Sequence, residues 1–213
     1  MAHKKTYETK FKRRAEGKTD YEKRLKLVKS KKVRFVVRKT NTRIIAQAIM
    51  FELKGDKTIA TADSKELTKY GFYGTNNTPS AYLTGLLLGK KISNKIKEGV
   101  LDIGRKTASH GSVVFACAKG INDGGVKVPL SEKAVPSEER INATTLDEYA
   151  KKLGENANTV FANYAKAKIT PGEINKAFEK AKSEIQKVKA WVEQISKKEQ
   201  KKQQEKGKKI SNK

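Results

Sequence analysis

From Val33 to Phe51 the chain reads VRFVVRKTNTRIIAQAIMF, and its alternation of apolar and polar positions predicts two β-strands joined at Asn41–Thr42. Successive side chains on a strand point to opposite sides, so Val33, Phe35 and Val37 share one face and Arg34, Val36 and Arg38 the other. Residues 55–64, GDKTIATADS, give a turn and a third short strand, and KELTKYGFYGTNN follows as a loop region. The period then becomes helical. In NTPSAYLTGLLLGKKISNKIKEG, Thr78 is placed to cap and Pro79 fits the first helical position, while Leu83, Leu86, Leu87, Leu88, Ile92 and Ile96 form a wide apolar stripe and Gly99 is a natural stop. VLDIG, residues 100–104, reads as a short buried strand and RKTASHGS as a polar loop. SVVFACAKGINDGG reads as a second helix ending at Gly124–Gly125, with Phe115 and Ile121 toward the sheet, and VKVP as a strand that closes it. Three strands, a helix, a strand, a helix and a strand predict an α/β fold, a mixed sheet with helices packed against it.

Beyond Leu130 the pattern becomes helical throughout. SEKAVPSEERINATTLDEYAKKLG opens as a loop, then offers Thr145 with Glu148 as a capping box for a helix reaching Leu153. NTVFANYAKAK predicts another helix. TPGE, residues 170–173, predicts a further capping box with Pro171 at the first position. The helix after it places Ile174, Phe178, Ala181, Ile185, Val188, Val192 and Ile195 on one face. No internal repeat is visible. The organisation expected is a basic N-terminal arm (1–32), an α/β core (33–130), an α-helical extension (131–196) and a lysine-rich tail (197–213).

Charge changes this picture more than composition does. Apolar residues make up 36% of the 213, below the ~45–50% usual for a globular domain, so a core forms but not along the whole length. The net charge is +25. Residues 1–34 hold fourteen Lys/Arg against four Asp/Glu, and residues 197–213 hold eight Lys against two Glu. A chain this cationic is stabilised by a polyanion: nucleic acid, an anionic membrane surface or another acidic polymer. The tail, KKEQKKQQEKGKKISNK, reads equally as a solvated run or as a nucleic-acid contact. The arm favours nucleic acid, because its arginines, which match phosphate oxygens, are interleaved with Tyr7, Phe11 and Tyr21, whose rings can stack on unpaired bases. Residues 21–28 also have helical spacing.

The side chains offer little chemistry. One cysteine, Cys117, rules out an internal disulfide and a cysteine-based zinc site, and it reads as small core packing. Two histidines, His3 and His110, build no His-rich metal site. GINDGG matches neither phosphate-cradling fingerprint. There is no secretory leader and no apolar run near the ~18 residues that span a bilayer, so a soluble cytosolic protein without cofactor is expected. Asp102, on a buried strand, stands where some nucleases place a metal-binding carboxylate, but a two-metal site needs several converging carboxylates. The alternative reading is that it accepts hydrogen bonds from backbone or an arginine. In RKTASHGS, Arg105, Lys106, Thr107, Ser109 and Ser112 are donors beside a helix start, and His110 reads either as a turn residue or as a phosphate contact, the latter favoured.

Taken in order, RRAEGKTDYEKRLKL, RFVVRKTN, NTPSAYLTGLLLGKK, LDIG, HGSVVFACAKGINDGG and PSEERI resemble the universal large-subunit ribosomal protein family that binds 5S ribosomal RNA, in its archaeal and eukaryotic form. They span Arg13 to Ile141, about three-fifths of the chain, and its length suits the archaeal form. The resemblance implies a ribonuclease-H-like, translational-machinery α/β core without nuclease activity. It also implies a cytoplasmic place in the ribosome's central protuberance, with 5S RNA, large-subunit RNA and neighbouring ribosomal proteins as partners and no membrane or small-molecule substrate. Carried onto this chain, the arm contacts are Lys12, Arg13, Arg14, Lys18, Tyr21 and Arg24, and the sheet-face contacts Arg34, Arg38, Lys39 and Asn41. The loop contacts are Asn76, Asn77 and Thr78, then Arg105, Thr107, His110, Gly111 and Ser112. Val113 departs from the basic residue common there, so no phosphate contact is expected at it. A ribonuclease-H-like RNA-processing nuclease is the alternative function, and a peripheral membrane binder a weaker one.

Overall fold

Four strands form the sheet: β1 (Val33–Lys39), β2 (Ile44–Met50), β3 (Lys57–Asp63) and β4 (Gly99–Asp102), in the order β3-β2-β1-β4. The computed structural model describes residues 9–188; Tyr7, Val192, Ile195 and the lysine tail lie outside them. β1 pairs antiparallel with β2 and β2 with β3, whereas β4 joins β1 in parallel. β1, β3 and β4 therefore point the same way, and the sheet is mixed as expected.

The inner half of the alternation along β1 is realised, but Arg34 and Val36 of the other face are buried as well. Phe35 and Val37 are buried on the inner face, beside Ile44, Ala46 and Ala48 of β2 and Ala60 and Ala62 of β3. Two long helices cover this face: α3 (Thr78–Ile92), whose Leu83, Leu86, Leu87 and Leu88 are fully buried, and α4 (Val113–Asp123), which buries Cys117 and Ile121. Phe115 is only half-buried. Burial pushes the Cys117 thiol up to about 12. The two helices cross in backbone contact: a Cβ on Gly85 would stand 2.0 Å from the Cys117 carbonyl oxygen, and one on Gly120 2.1 Å from that of Tyr82. Only glycine permits this approach. Both helices run against the parallel strands, because each returns the chain from one parallel segment to the next. Their N-termini consequently lie at the carboxyl ends of the strands.

Several local expectations are corrected. Asn77 caps α3, its side-chain oxygen accepting from the Ser80 N–H at 3.1 Å, so Thr78 and Pro79 are the first two helical residues. The helix ends at Ile92, and Gly99 opens β4, where a Cβ would strike the Phe35 ring. VKVP adds no strand. It makes one bridge, Glu98 with Lys127, and its Val128 is bracketed by the Asn122 side chain. Pro129 has no N–H with which to extend a ladder.

The C-terminal helices are α5 (Glu138–Ile141), α6 (Thr144–Leu153), α7 (Ala157–Val160), α8 (Ala162–Lys166) and α9 (Ile174–Gln186). Neither expected capping box forms. Ala143, with φ +67°, turns the chain into α6, and Asp147 of that helix reaches across to cap α9. Its carboxylate oxygens accept from the Ile174 N–H at 2.8 Å and the Asn175 N–H at 2.9 Å, the capping role expected of Thr170 and Glu173. The helix expected over NTVFANYAKAK breaks at Phe161, whose ring turns into the core. On α9, Ile174, Phe178, Ala181 and Ile185 are buried as predicted, in one continuous apolar cluster with Leu83 and Leu87.

Candidate nucleic-acid interface

The outer face of the sheet lies beneath the arm. Residues 12–15 form a single turn, α1 (Lys12–Ala15), and the expected second helix is present as α2 (Tyr21–Lys29). Asp20 caps α2, accepting from the N–H groups of Glu22 and Lys23 at 3.1 Å. The Lys23 N–H bond, with smaller contributions from the Lys23 charge and the Glu22 N–H, holds its carboxyl below the usual carboxylate value. The Phe11 and Tyr21 rings pack 5.2 Å apart. Arg13 Nε donates to Thr19 Oγ1 at 2.9 Å, Lys18 pairs with Glu16, and Arg105 donates to the Gly17 carbonyl, which fastens the arm to the loop after β4. Lys12, Arg13, Arg14, Lys18 and Arg105 are exposed; Tyr21 and Arg24 are half-buried.

A ladder of ion pairs joins arm to sheet. Arg24 meets Asp56 at 2.8 Å, Asp56 meets Arg34 at 2.7 Å, Arg34 meets Asp102 at 3.0 Å, and Asp102 meets Arg38 at 3.2 Å. Asp102 also accepts from the Gly104 N–H at 2.8 Å, and Arg38 bonds the carbonyl oxygens of Asp102 and Val37. Asp102 is thus an acceptor for arginines and backbone. Among the described residues no three His, Cys, Asp or Glu side chains are grouped as a metal site requires. Arg34 corrects its expectation: only 3% exposed, it offers the sheet's outer face no open cation. Two carboxylates, Asp56 and Asp102, draw its guanidinium into the fold, while its Nε has no partner among the described residues. The Arg38 side chain, 44% exposed, remains reachable, as do Lys39 and Asn41.

The loop residues divide in the same way. The Asn76 amide donates to the carbonyls of Thr40 at 3.2 Å and Asn41 at 2.6 Å, which brings this loop to the end of β1. Asn77 is fully employed, capping α3 and donating to the Tyr164 hydroxyl at 2.8 Å, and Thr78 is buried, so neither presents a free side chain. His110 Nδ1 donates to the Lys133 carbonyl at 2.9 Å, the turn role set against the phosphate one in the sequence. Gly111 donates to the Ala134 carbonyl and accepts from Arg140, while Ser112 precedes α4 without making a side-chain cap bond. Thr107 and His110 are exposed. Arg38–Asn41, Asn76 and the loop 105–112 therefore gather at the carboxyl ends of the strands, where open α/β sheets place ligands.

Between arm and sheet lies a cleft of about 500 Å³. Val36, Ile49, Leu101 and Ile103 line it from the sheet, and Leu27 with Arg13, Lys23 and Lys26 from the arm. Sequence reasoning missed Lys23, Lys26 and above all Asp56. The only signal for Asp56 was a carboxylate in a hairpin turn that also holds Glu52, and pairing it with Arg34 requires the register of β2 with β1.

A family model described as "Ribosomal large subunit proteins 60S L5, and 50S L18" matches residues 5–99. Among curated relatives, the "Large ribosomal subunit protein uL18" of Korarchaeum cryptofilum is 46% identical over 183 residues, covering 84% of this chain and 94% of that protein. The protein of the same name from Methanothermobacter thermautotrophicus is 44% identical over 188 residues, covering 87% and 98%. These matches define a structural protein of the large ribosomal subunit, not an enzyme. The chain belongs to the uL18 family. Its place is the cytoplasmic ribosome, and its partners are ribosomal RNA and ribosomal proteins.

Proposed function

We propose that within the large subunit this chain binds 5S ribosomal RNA and helps to anchor it in the central protuberance. The observation that carries the reading is the gathering of exposed cations on the outer side of the sheet, Lys12, Arg13 and Arg14 from the arm, Arg38 from β1 and Arg105 from the loop after β4, with Lys39 exposed at the end of β1. Double-helical RNA is recognised through phosphates, 2′-hydroxyls and shape, which such a surface suits. Arg34, Asn77 and Thr78 support the surface from within, and the arm, sheet-end and loop cations make the contact.

Binding is tested by titrating the purified protein with a 5S RNA transcript at several salt concentrations. Each phosphate neutralised adds about −0.7 to −0.9 to the slope of log affinity against log salt, so some 6–10 contacts cost about a thousandfold or more between 50 and 200 mM. A flat salt response, or equal affinity for unrelated RNA of the same length, refutes the proposal.

A further inference from the structure

We infer that the cleft beneath the arm receives a single unpaired nucleotide of the bound RNA. This rests on the RNA-binding reading and adds to it the kind of nucleotide and the place it enters. A volume of about 500 Å³ lies within the ~300–1,000 Å³ of pockets that take small ligands and admits one nucleotide rather than a helix. On the sheet side four apolar side chains, Val36, Ile49, Leu101 and Ile103, sit beside the paired Arg34, Asp102 and Arg38, and Leu27 of α2 faces them. A paired base shows only its edges in a groove, whereas a splayed base has a free ring face for such walls. Cations stand at the arm side, Arg13, Lys23 and Lys26, placed for the phosphate that the nucleotide carries. Thr19 lines the same cleft with a hydroxyl that can both donate and accept at a base edge, and Gln47 marks its sheet side.

A second observation points to an incoming ligand. Arg34 lines this cleft, is 3% exposed, and its Nε has no partner among the described residues. A buried guanidinium N–H left unbonded is costly, and a ligand acceptor entering as the arm opens satisfies it.

The test uses the full chain with large-subunit ribosomal RNA, the 5S species included. Gln47→Trp fills the cleft from the sheet side, and Gln47→Ala leaves it open. The Trp variant is expected to bind at least tenfold more weakly than wild type, with the Ala variant within twofold. Circular dichroism verifies that both fold. In parallel, a photoreactive side chain at Lys26, on the cleft's arm side, is expected to cross-link to one nucleotide that is unpaired in the RNA. Wild-type affinity in Gln47→Trp, or cross-links spread over helical positions while RNA remains bound, overturns the cleft assignment and leaves RNA binding standing. A wild-type protein that binds none of these RNAs overturns both. Should the Trp variant fail to fold, the cross-link alone decides.

Discussion

The two faces of β1 are held by different physics. On the inner face, Phe35 and Val37 sit among alanines and leucines, and stability there follows apolar area removed from water and the fit of shapes. On the outer face, Arg34 and Arg38 are tied through Asp56 and Asp102, and stability there follows the pairing of charges. Replacing any one member of an apolar cluster leaves a cavity, whereas removing one member of a charge ladder strands the others. The lesson is that an arginine facing outward in a strand pattern is not thereby a surface group. Its exposure depends on carboxylates that the pattern does not show.

The largest expected effect is on the inner face: Phe35→Ala costs about 3–5 kcal/mol by urea unfolding, with Phe35→Leu much milder. A loss below about 1 kcal/mol breaks the view of that face as the rigid one. Next comes Arg34→Ala, at about 3 kcal/mol, because Asp102 is left buried with one cation fewer. Adding Asp102→Leu to Arg34→Met is expected to recover much of that loss, since an apolar pair replaces a stranded charge. Equal destabilisation by single and double variants defeats the ladder account.

Cys117 gives a smaller effect. Its folded thiol titrates near 12 against an ordinary value of 9.0, so the unfolded chain loses this proton first as pH rises. Stability from this group is full below pH 9 and falls between 9 and 12, by roughly 1 kcal/mol at pH 10. Cys117→Ala, with nothing to ionise, removes that part of the slope, and unchanged alkaline melting curves in the variant contradict it. Smallest is Arg24→Ala, whose partly exposed pair with Asp56 supports folding by under about 1 kcal/mol. Its mark is expected in RNA titrations instead, as a salt slope shallower by about one unit.

Much of the fold was legible because local periods carried it. The inner face of β1, the leucine stripe of α3, and the Gly124–Gly125 stop all survive in the structure. What escaped depends on residues distant in sequence. Asp147 satisfies the N–H groups of α9 from 27 residues away, and no local motif announces it. Asp56 claims Arg34 across 22 residues, so an arginine expected on the open outer face is internal. The basic arm was readable from composition, but its docking needed Gly17 to meet Arg105 and Arg24 to meet Asp56 in space. Asn77 took the capping role from Thr78 by a shift of one position, because both side chains suit a cap and only the backbone turn decides between them.

The glycine crossing of α3 and α4 works as a gauge block. With backbone against backbone at Gly85 and Gly120, no side chain can compress or swell between the helices, so their separation is fixed by main-chain atoms alone. The two loops that open these helices, one bearing Asn76 and the other His110, inherit that fixed spacing as the jaws of a caliper do. A methyl group at either glycine would alter the jaw setting by levering the helices apart. Tolerance to amino-acid replacement should accordingly be low at two buried positions that carry no side chain at all, and high along the arm, where position is set by charge rather than by thickness.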